Sequence, residues 1–250
     1  MVTETFPGIN FGIPAGSIDC ACLIHGSAYS WDYVDRLYSM LTRHITPGIR
    51  LHVYTEANRD VPAPMIKHAL PDWSLTSPKK VWWYKLELFN TAHHLGHMLY
   101  FDLDTVVTGN LDWIWQLNLQ YYWAVRDFKY IWRPTAYNIN TSIMWFHTAR
   151  FEHVYNEFIK RSINQVTHRY QGDQDFVNEV VDQKQRQFLD INRIQSWRWQ
   201  ALDGGFDFGK RSYLTPGTGT TLTDQTSLLI FHGRPKPVDV QDPVIAQHWI

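Results

Sequence analysis

The chain of 250 residues is short of three things: cysteine, net charge and long apolar runs. Its only cysteines, Cys20 and Cys22, sit two apart on one face of an expected strand, a spacing that does not suit disulfide geometry. That leaves two buried free thiols, consistent with a reducing compartment. Formal net charge is -1, with 23 basic against 24 acidic residues, which excludes a general basic field for wrapping nucleic acid or an anionic membrane. No apolar run reaches the ~20 residues that a membrane helix needs. The first residues carry Glu4, Pro7 and Gly8 instead of a charged and then apolar leader. The expectation is a cytoplasmic protein with no nucleic-acid partner and no transmembrane segment. Internal repeats, heptads and an evident linker are also missing, and the length suits one domain, so residues 1–16 read as an irregular lead-in and 17–250 as a single unit.

What is present is an alternation of strand and helix signals. Ile18 to Ile24 is a short apolar run ending in His25-Gly26-Ser27, and Ser30 stands where it can cap a helix carrying Trp31, Val34, Leu37, Tyr38 and Leu41. Leu51 to Tyr54 is a second strand. Ser77-Pro78 opens a helix whose stripe is Trp82, Leu86 and Phe89, ended by Gly96 before the run Met98 to Phe101. Later, Tyr121 to Val125 and Ser142 to Phe146 read as strands with no long helix between them, so the sheet becomes mixed. Helices follow near Phe151 to Arg161 and from Asp173, and Leu228 to Phe231 is a late strand ending at His232. The fold class is α/β, one Rossmann-like domain with a mixed sheet. In such sheets ligands bind beyond the carboxyl ends of strands, which makes His25, Asp102 with Asp104, and His232 three candidate points of convergence.

The most informative of these is Asp102-Leu103-Asp104, directly after an apolar strand. In extended chain, residues i and i+2 face one side, so both acids are expected to leave one strand end together and address one cation. Two carboxylates, an imidazole from His232 and a diphosphate would complete an oxygen-rich octahedral shell suited to Mn²⁺ or Mg²⁺, with the nitrogen favouring manganese. An isolated Asp-x-Asp equally caps a solvated turn, so its companions decide. His93, His94 and His97 look like a metal cluster, but with Gly96 interrupting them they read better as cations at a helix C-terminus. Of twelve tryptophans most read as core, with Trp197 and Trp199 set aside as acceptor-side candidates.

Five blocks in order give the acid pair its context. Lys85-Leu86 leads to Leu99-Tyr100-Phe101-Asp102-Leu103-Asp104; then come Arg126-Asp127, Asn138-Ile139-Asn140-Thr141-Ser142, Gly172-Asp173-Gln174 and Phe231-His232-Gly233-Arg234-Pro235-Lys236-Pro237. Together they resemble the nucleotide-sugar glycosyltransferases related to glycogenin and the bacterial lipopolysaccharide galactosyltransferases, which have the A-type glycosyltransferase fold. Two positions depart from that pattern. Ile230 stands where the family's closing His is found, with His232 directly before Gly233, and Ser142 stands in place of a usual Gly.

The resemblance implies a metal-dependent, retaining transfer of a sugar from a nucleotide-sugar donor, a UDP-sugar, to a glycan, lipid or protein acceptor. By position it implies Asp102 and Asp104 as ligands of Mn²⁺ or Mg²⁺, Asp102 also at the ribose, and Gly233 and Lys236 at the diphosphate; His232, on the same strand face as Ile230, is the third candidate ligand from a shifted position. Lys85, Asp127 and Asn140 contact the donor, and Asp173 and Gln174 lie beside the anomeric carbon. Tyr29 or Trp31 stacks on the base. Two other readings stand beside this one: a haloacid-dehalogenase-type phosphatase, which also uses Asp-x-Asp after a strand, and a non-catalytic nucleotide-sugar-binding protein on the same fold. The phosphatase motif normally opens its domain, whereas about a hundred patterned residues precede Asp102 here.

Overall fold

The computed structural model describes residues 14, 16–75, 78–203, 206–207, 212–213 and 219–250, with residues 78–80, 206–207 and 212–213 described by backbone alone. The expected cap at Ser77, nearly all of the lead-in and most of residues 204–218 lie outside these residues.

Strand β1 (Ile18–Leu23) leads to helix α1 (Asp32–His44), and β2 (Ile49–Thr55) and β3 (Ile66–Ala69) follow. A 3-10 segment, Pro78–Phe89, precedes β4 (His97–Phe101), β5 (Thr105–Val107) and the one-turn helix α2 (Asp112–Trp115). Strand β6 (Tyr122–Arg126) is followed by a 3-10 turn, Phe128–Ile131, and by β7 (Ile139–His147). Helices α3 (Thr148–Lys160), α4 (Ile163–Arg169) and α5 (Asp173–Val180) come next. The chain continues through β8 (Arg186–Phe188), β9 (Ile194–Ser196), a π-helical turn Trp197–Ala201, the small pair β10 (Phe206–Asp207) and β11 (Ser212–Tyr213), β12 (Leu228–Ile230) and α6 (Pro243–His248).

The main sheet has the order β3-β2-β1-β4-β7-β6-β8. β1 runs parallel to β2 and β4, whereas β7 runs antiparallel to both β4 and β6, so the sheet is mixed as expected. Period-two alternation divides its side chains between two cores. Ile18, Cys20 and Cys22 of β1 with Leu99 and Phe101 of β4 pack toward α1, through its buried Val34, Leu37, Met40 and Leu41. Ala21, Met98, Tyr100, Met144 and Phe146 pack on the opposite face with Trp83, Leu86 and Phe89. Covering both faces explains why these strands read as continuous apolar runs. Both cysteines are free and buried, and burial holds their thiols well above the usual range.

Three local expectations are corrected. The N-cap position of α1 is Trp31, with no side-chain cap; Ser30 lies one residue earlier, and Asp32 and Asp35 supply the first-turn acids that favour the helix dipole. The segment after Pro78 is 3-10, not α-helical, and it is buried throughout from Trp83 to Phe89, leaving Trp82 half-buried. His93 and His94 lie beyond the end of that segment and His97 opens β4, where they meet Glu87 and Asp19 instead of a helix terminus.

A second sheet, of order β5-β12-β9, positions the site. β12 pairs antiparallel with β5, placing Ile230 opposite Thr105. The residues after β12 are thereby delivered beside the turn that holds Asp104.

Candidate active site at the carboxyl edge of the sheet

The acid pair lies in a turn between two sheets, not on a straight strand end. Asp102 still bonds to β7, its amide donating to the Ser142 carbonyl at 2.7 Å, and the Thr105 amide then closes the turn on the Asp102 carbonyl at 3.1 Å. Leu103 between them is buried in the core and fixes the turn. This corrects the picture of two acids sharing one face, because a turn gives each acid its own partners. Asp102 accepts from the Tyr100 hydroxyl at 2.7 Å and pairs with Lys85 Nζ at 2.7 Å. Asp104 accepts from the Tyr29 hydroxyl at 3.0 Å and pairs directly with Lys236 Nζ, which also reaches the Tyr29 oxygen at 2.8 Å.

Electrostatics separate the members of this cluster. Burial and then the neighbouring Asp102 carboxylate push Asp104 above the ordinary range, against the pull of Lys236 and Tyr29. Burial acts against the charge on Lys85, but Asp102, Asp173 and Asp104 outweigh it and hold the ammonium above its usual value. Asp173 is the first residue of α5; burial raises it, opposed by Lys85 and by the Thr141 hydroxyl, which donates at 2.7 Å. Burial, followed by Asp104 and Asp102, drives the Tyr29 phenol far upward, so it remains a donor.

The β6–β7 pairing supplies the rest. Its register jumps from Ala124 opposite Met144 to Val125 opposite Asn140, a bulge that turns Thr141 toward Asp173 and lets Asn140 Oδ1 accept the Ser142 amide at 2.9 Å. Asp127 follows β6, caps the next 3-10 turn through the Lys129 amide at 2.9 Å, and accepts from Gln174 Nε2 at 3.3 Å. Gly233 follows β12 with φ of 65°, in the left-handed region that favours glycine.

Of the residues singled out in the sequence, Asp102, Asp104, Lys85, Lys236, Tyr29 and Asp173 are joined by contacts or by mutual charge effects, and Gln174 joins Asp127. His232 is packed edge-on against Phe128 and stacked on Trp199, with ring centroids 4.8 and 5.0 Å away. Burial, then Arg198, lowers its pKa to about 4, so the imidazole is neutral, and its buried Nε2 has no hydrogen-bond partner among the described residues. Two carboxylates and an orphaned neutral nitrogen suit a divalent cation in donor chemistry. Their ligand atoms do not gather within 4.8 Å of one another, however; among the described residues the group that does is Asp19, His52 and His94. His25 ends at Tyr84, stacked at 4.7 Å, and Trp31 bonds its own helix at Asp35. Trp197 is core, stacked on Phe231 and donating to Thr220 Oγ1 at 2.9 Å, whereas Trp199 is half-buried against His232 and Trp132. Sequence reasoning missed Tyr100 and Thr141. The two-residue step from Tyr100 to Asp102 on one strand face was the available signal for the first; Thr141 had none, since only the bulge aims it.

A mixed α/β sheet with an acidic and basic cluster at the carboxyl ends of its strands is an architecture in which ligands bind beyond those ends. No family model matches the chain, and no curated protein matches it. Among solved structures, the glycosyltransferase GlyE of Streptococcus pneumoniae TIGR4 matches 89% of this chain and 56% of its own, with TM-score 0.63 and 15% identity. The galactosyltransferase LgtC, in complex with donor and acceptor sugar analogues, matches 88% of this chain and 89% of its own, with TM-score 0.60 and 14% identity. The bifunctional glycosyltransferase WbbM matches 94% of this chain and 49% of its own, with TM-score 0.58 and 13% identity. The chain thus spans about half of GlyE and of WbbM and most of LgtC. Its fold is the A-type glycosyltransferase fold.

Proposed function

We propose that this chain is a metal-dependent, retaining glycosyltransferase that moves a hexose from a nucleotide-sugar, a UDP-sugar, to a glycan, lipid or protein acceptor. The observation that carries the reading is the double pairing at the β4–β5 turn, Asp102 with Lys85 and Asp104 with Lys236, on a fold shared with glycosyltransferases.

Cleaving a sugar-diphosphate bond builds negative charge on the leaving phosphate and positive charge at the anomeric carbon. A bound Mn²⁺ or Mg²⁺, held by Asp102, Asp104 and His232, would supply Lewis-acid stabilisation of the first charge. Lys236 is the residue poised to exchange partners: its ammonium rests on Asp104 and would turn to the diphosphate once a divalent cation took the carboxylate. Gly233 leaves the backbone open beside it, with no atom of the described residues within 4 Å of where a Cβ would stand. Lys85 pairs with Asp102 at 2.7 Å and would orient it for the ribose and cation, and its charge also reaches Asp173. Asp173 and Gln174, at the first turn of α5, would face the anomeric carbon, with the Asp173 carboxylate stabilising the developing positive charge. Asp127 and Asn140 would hold sugar hydroxyls, Tyr29 or Trp31 the base, and Trp199 the acceptor side.

The test is release of UDP from a panel of UDP-sugars with and without Mn²⁺, in wild type and in Asp104→Asn and Asp173→Asn. Mn²⁺-dependent release abolished in both variants supports the reading. Phosphatase activity with no nucleotide-sugar binding overturns it, and tight donor binding without turnover on diverse acceptors leaves the binding-protein reading.

A further inference from the structure

We propose that Asp19, His52 and His94 form a second metal site, for a tetrahedral divalent cation of the zinc type, at the edge of the sheet opposite the candidate active site. Asp19 lies near the start of β1, His52 on the neighbouring β2, and His94 in the approach to β4, on the other side of β1. A cation here would tie together three adjacent elements of the sheet.

One ligand atom from each residue lies within 4.8 Å of the others. His52 Nε2 is 3.1 Å from Asp19 Oδ1, and His94 Nε2 is 3.5 Å from Asp19 Oδ2. In a tetrahedron with bonds of about 2.0–2.1 Å, ligand atoms stand about 3.4 Å apart, and the two nitrogen–oxygen distances, each to a different Asp19 oxygen, are of that scale. Two imidazoles and one carboxylate are a zinc donor set, with solvent for the fourth position.

The surrounding contacts are those of an outer shell. His52 Nδ1 lies 2.8 Å from His68 Nε2, so a metal-bound His52 has an acceptor for the proton on its other nitrogen, the arrangement that orients metal-ligating histidines. Arg50 grips the outer sides of the Asp19 carboxylate at 2.6 and 2.7 Å. His97 Nε2 accepts the Asp19 amide at 2.9 Å and holds the backbone of the ligand. Without metal, the Nε2 proton of His94 is shared with the His97 carbonyl at 3.0 Å. As ligands, His52 and His94 would each present the Nε2 lone pair, with the ring proton on Nδ1. His94 is 13% exposed and Arg50 56%, which opens the site to solvent at the rim while Asp19 stays buried.

The test uses the full chain stripped with a chelator and titrated with Co²⁺ and then Zn²⁺ alone. One equivalent of Co²⁺ should give the intense visible absorption of tetrahedral coordination, displaced by Zn²⁺, and a hundredfold excess of Zn²⁺ over its Kd should raise the melting temperature by about 5–10 °C. Both signals should persist in Asp104→Asn and be lost in His94→Gln, a rim substitution whose folding is checked by circular dichroism. If His94→Gln misfolds, the wild-type cobalt spectrum decides alone. Only weak octahedral absorption, or tetrahedral binding that survives in a folded His94→Gln or vanishes in Asp104→Asn, overturns the proposal.

Discussion

The two edges of the main sheet each bury an aspartate among nitrogen donors, and they use it in opposite ways. At the carboxyl edge Asp104 stands beside a second carboxylate, Asp102, and its pKa is raised by burial and by that neighbour. At the amino edge the ion-pair partners of Asp19 among the described residues are Arg50, His52, His94 and His97. Burial alone would raise it, but hydrogen bonds from His52 and Arg50, with His97 and His94 beside them, overcome burial and hold it far below the ordinary range. Like charge at the first edge works against the ionised Asp104. Nitrogen donors alone make the second a brace. Placement on the same sheet therefore says little about an aspartate's role; the sign of its neighbours decides.

The largest expected effect breaks the carboxyl edge at its centre. Asp104→Asn keeps the shape and the Tyr29 contact but removes the charge that Lys236 and a cation share, so donor turnover should fall ~10²–10³-fold in a UDP-release assay. Normal turnover would show that Asp104 is only a turn residue.

Lys236→Met asks what the pairing contributes to folding. It leaves Asp104 buried with no cation, which should cost about 3 kcal/mol in urea unfolding at neutral pH. Added Mn²⁺ should recover part of that loss, because a ligand that binds only the folded state stabilises it. An unchanged midpoint would mean the pair is not formed in solution.

At the amino edge, Asp19→Asn should cost about 2 kcal/mol at pH 7, the scale of hydrogen bonds to a charged group. A carboxylate whose folded pKa is depressed contributes stability above its unfolded value of about 4, and that contribution is lost as pH falls further. Wild type and variant should therefore converge below pH 4 in denaturant titrations, and a gap independent of pH would assign the loss to packing.

A separate window belongs to His97, which burial, against Asp19, lowers to about 4. The unfolded histidine takes its proton near 6.5, so stability from the neutral ring is complete above that pH and drains as pH falls from 6.5 to 4. With chelator present, His97→Gln should flatten this slope by on the order of 1–2 kcal/mol. The smallest effect is Gly233→Ala, about 1 kcal/mol of left-handed backbone cost, because no atom of the described residues stands where the new Cβ would go. A loss well above that would point to a closer approach of chain or ligand than the free protein shows.

Much of this molecule was legible in one dimension. The alternation of apolar runs and helix stripes located β1, α1, β2, β4, β7, α3, α5 and β12 within a few residues, because burial on two sheet faces leaves uninterrupted apolar strands. It missed β3, whose residues are largely exposed, and the three-residue strands β5, β8 and β9, too short to show any period. It also took a 3-10 segment for an α-helix, since Trp82, Leu86 and Phe89 fit either spacing loosely.

The sequence by itself determined the parts of the candidate site: the acid pair after an apolar strand, a basic residue before it, and the later Asp, Asn and Lys blocks in order. Only the tertiary structure decided how they are partnered. The β5–β12 pairing brings Lys236 to Asp104 across 132 residues, and the bulge in β7 aims Thr141 at Asp173. It also joined Asp19, His52 and His94, which no spacing in the chain connects, because parallel strands set side by side residues that the chain separates by a whole helix. Local pattern records which side chains seek the core; which polar groups meet at its edges depends on strand order and register, and these are set by the packing of the whole sheet.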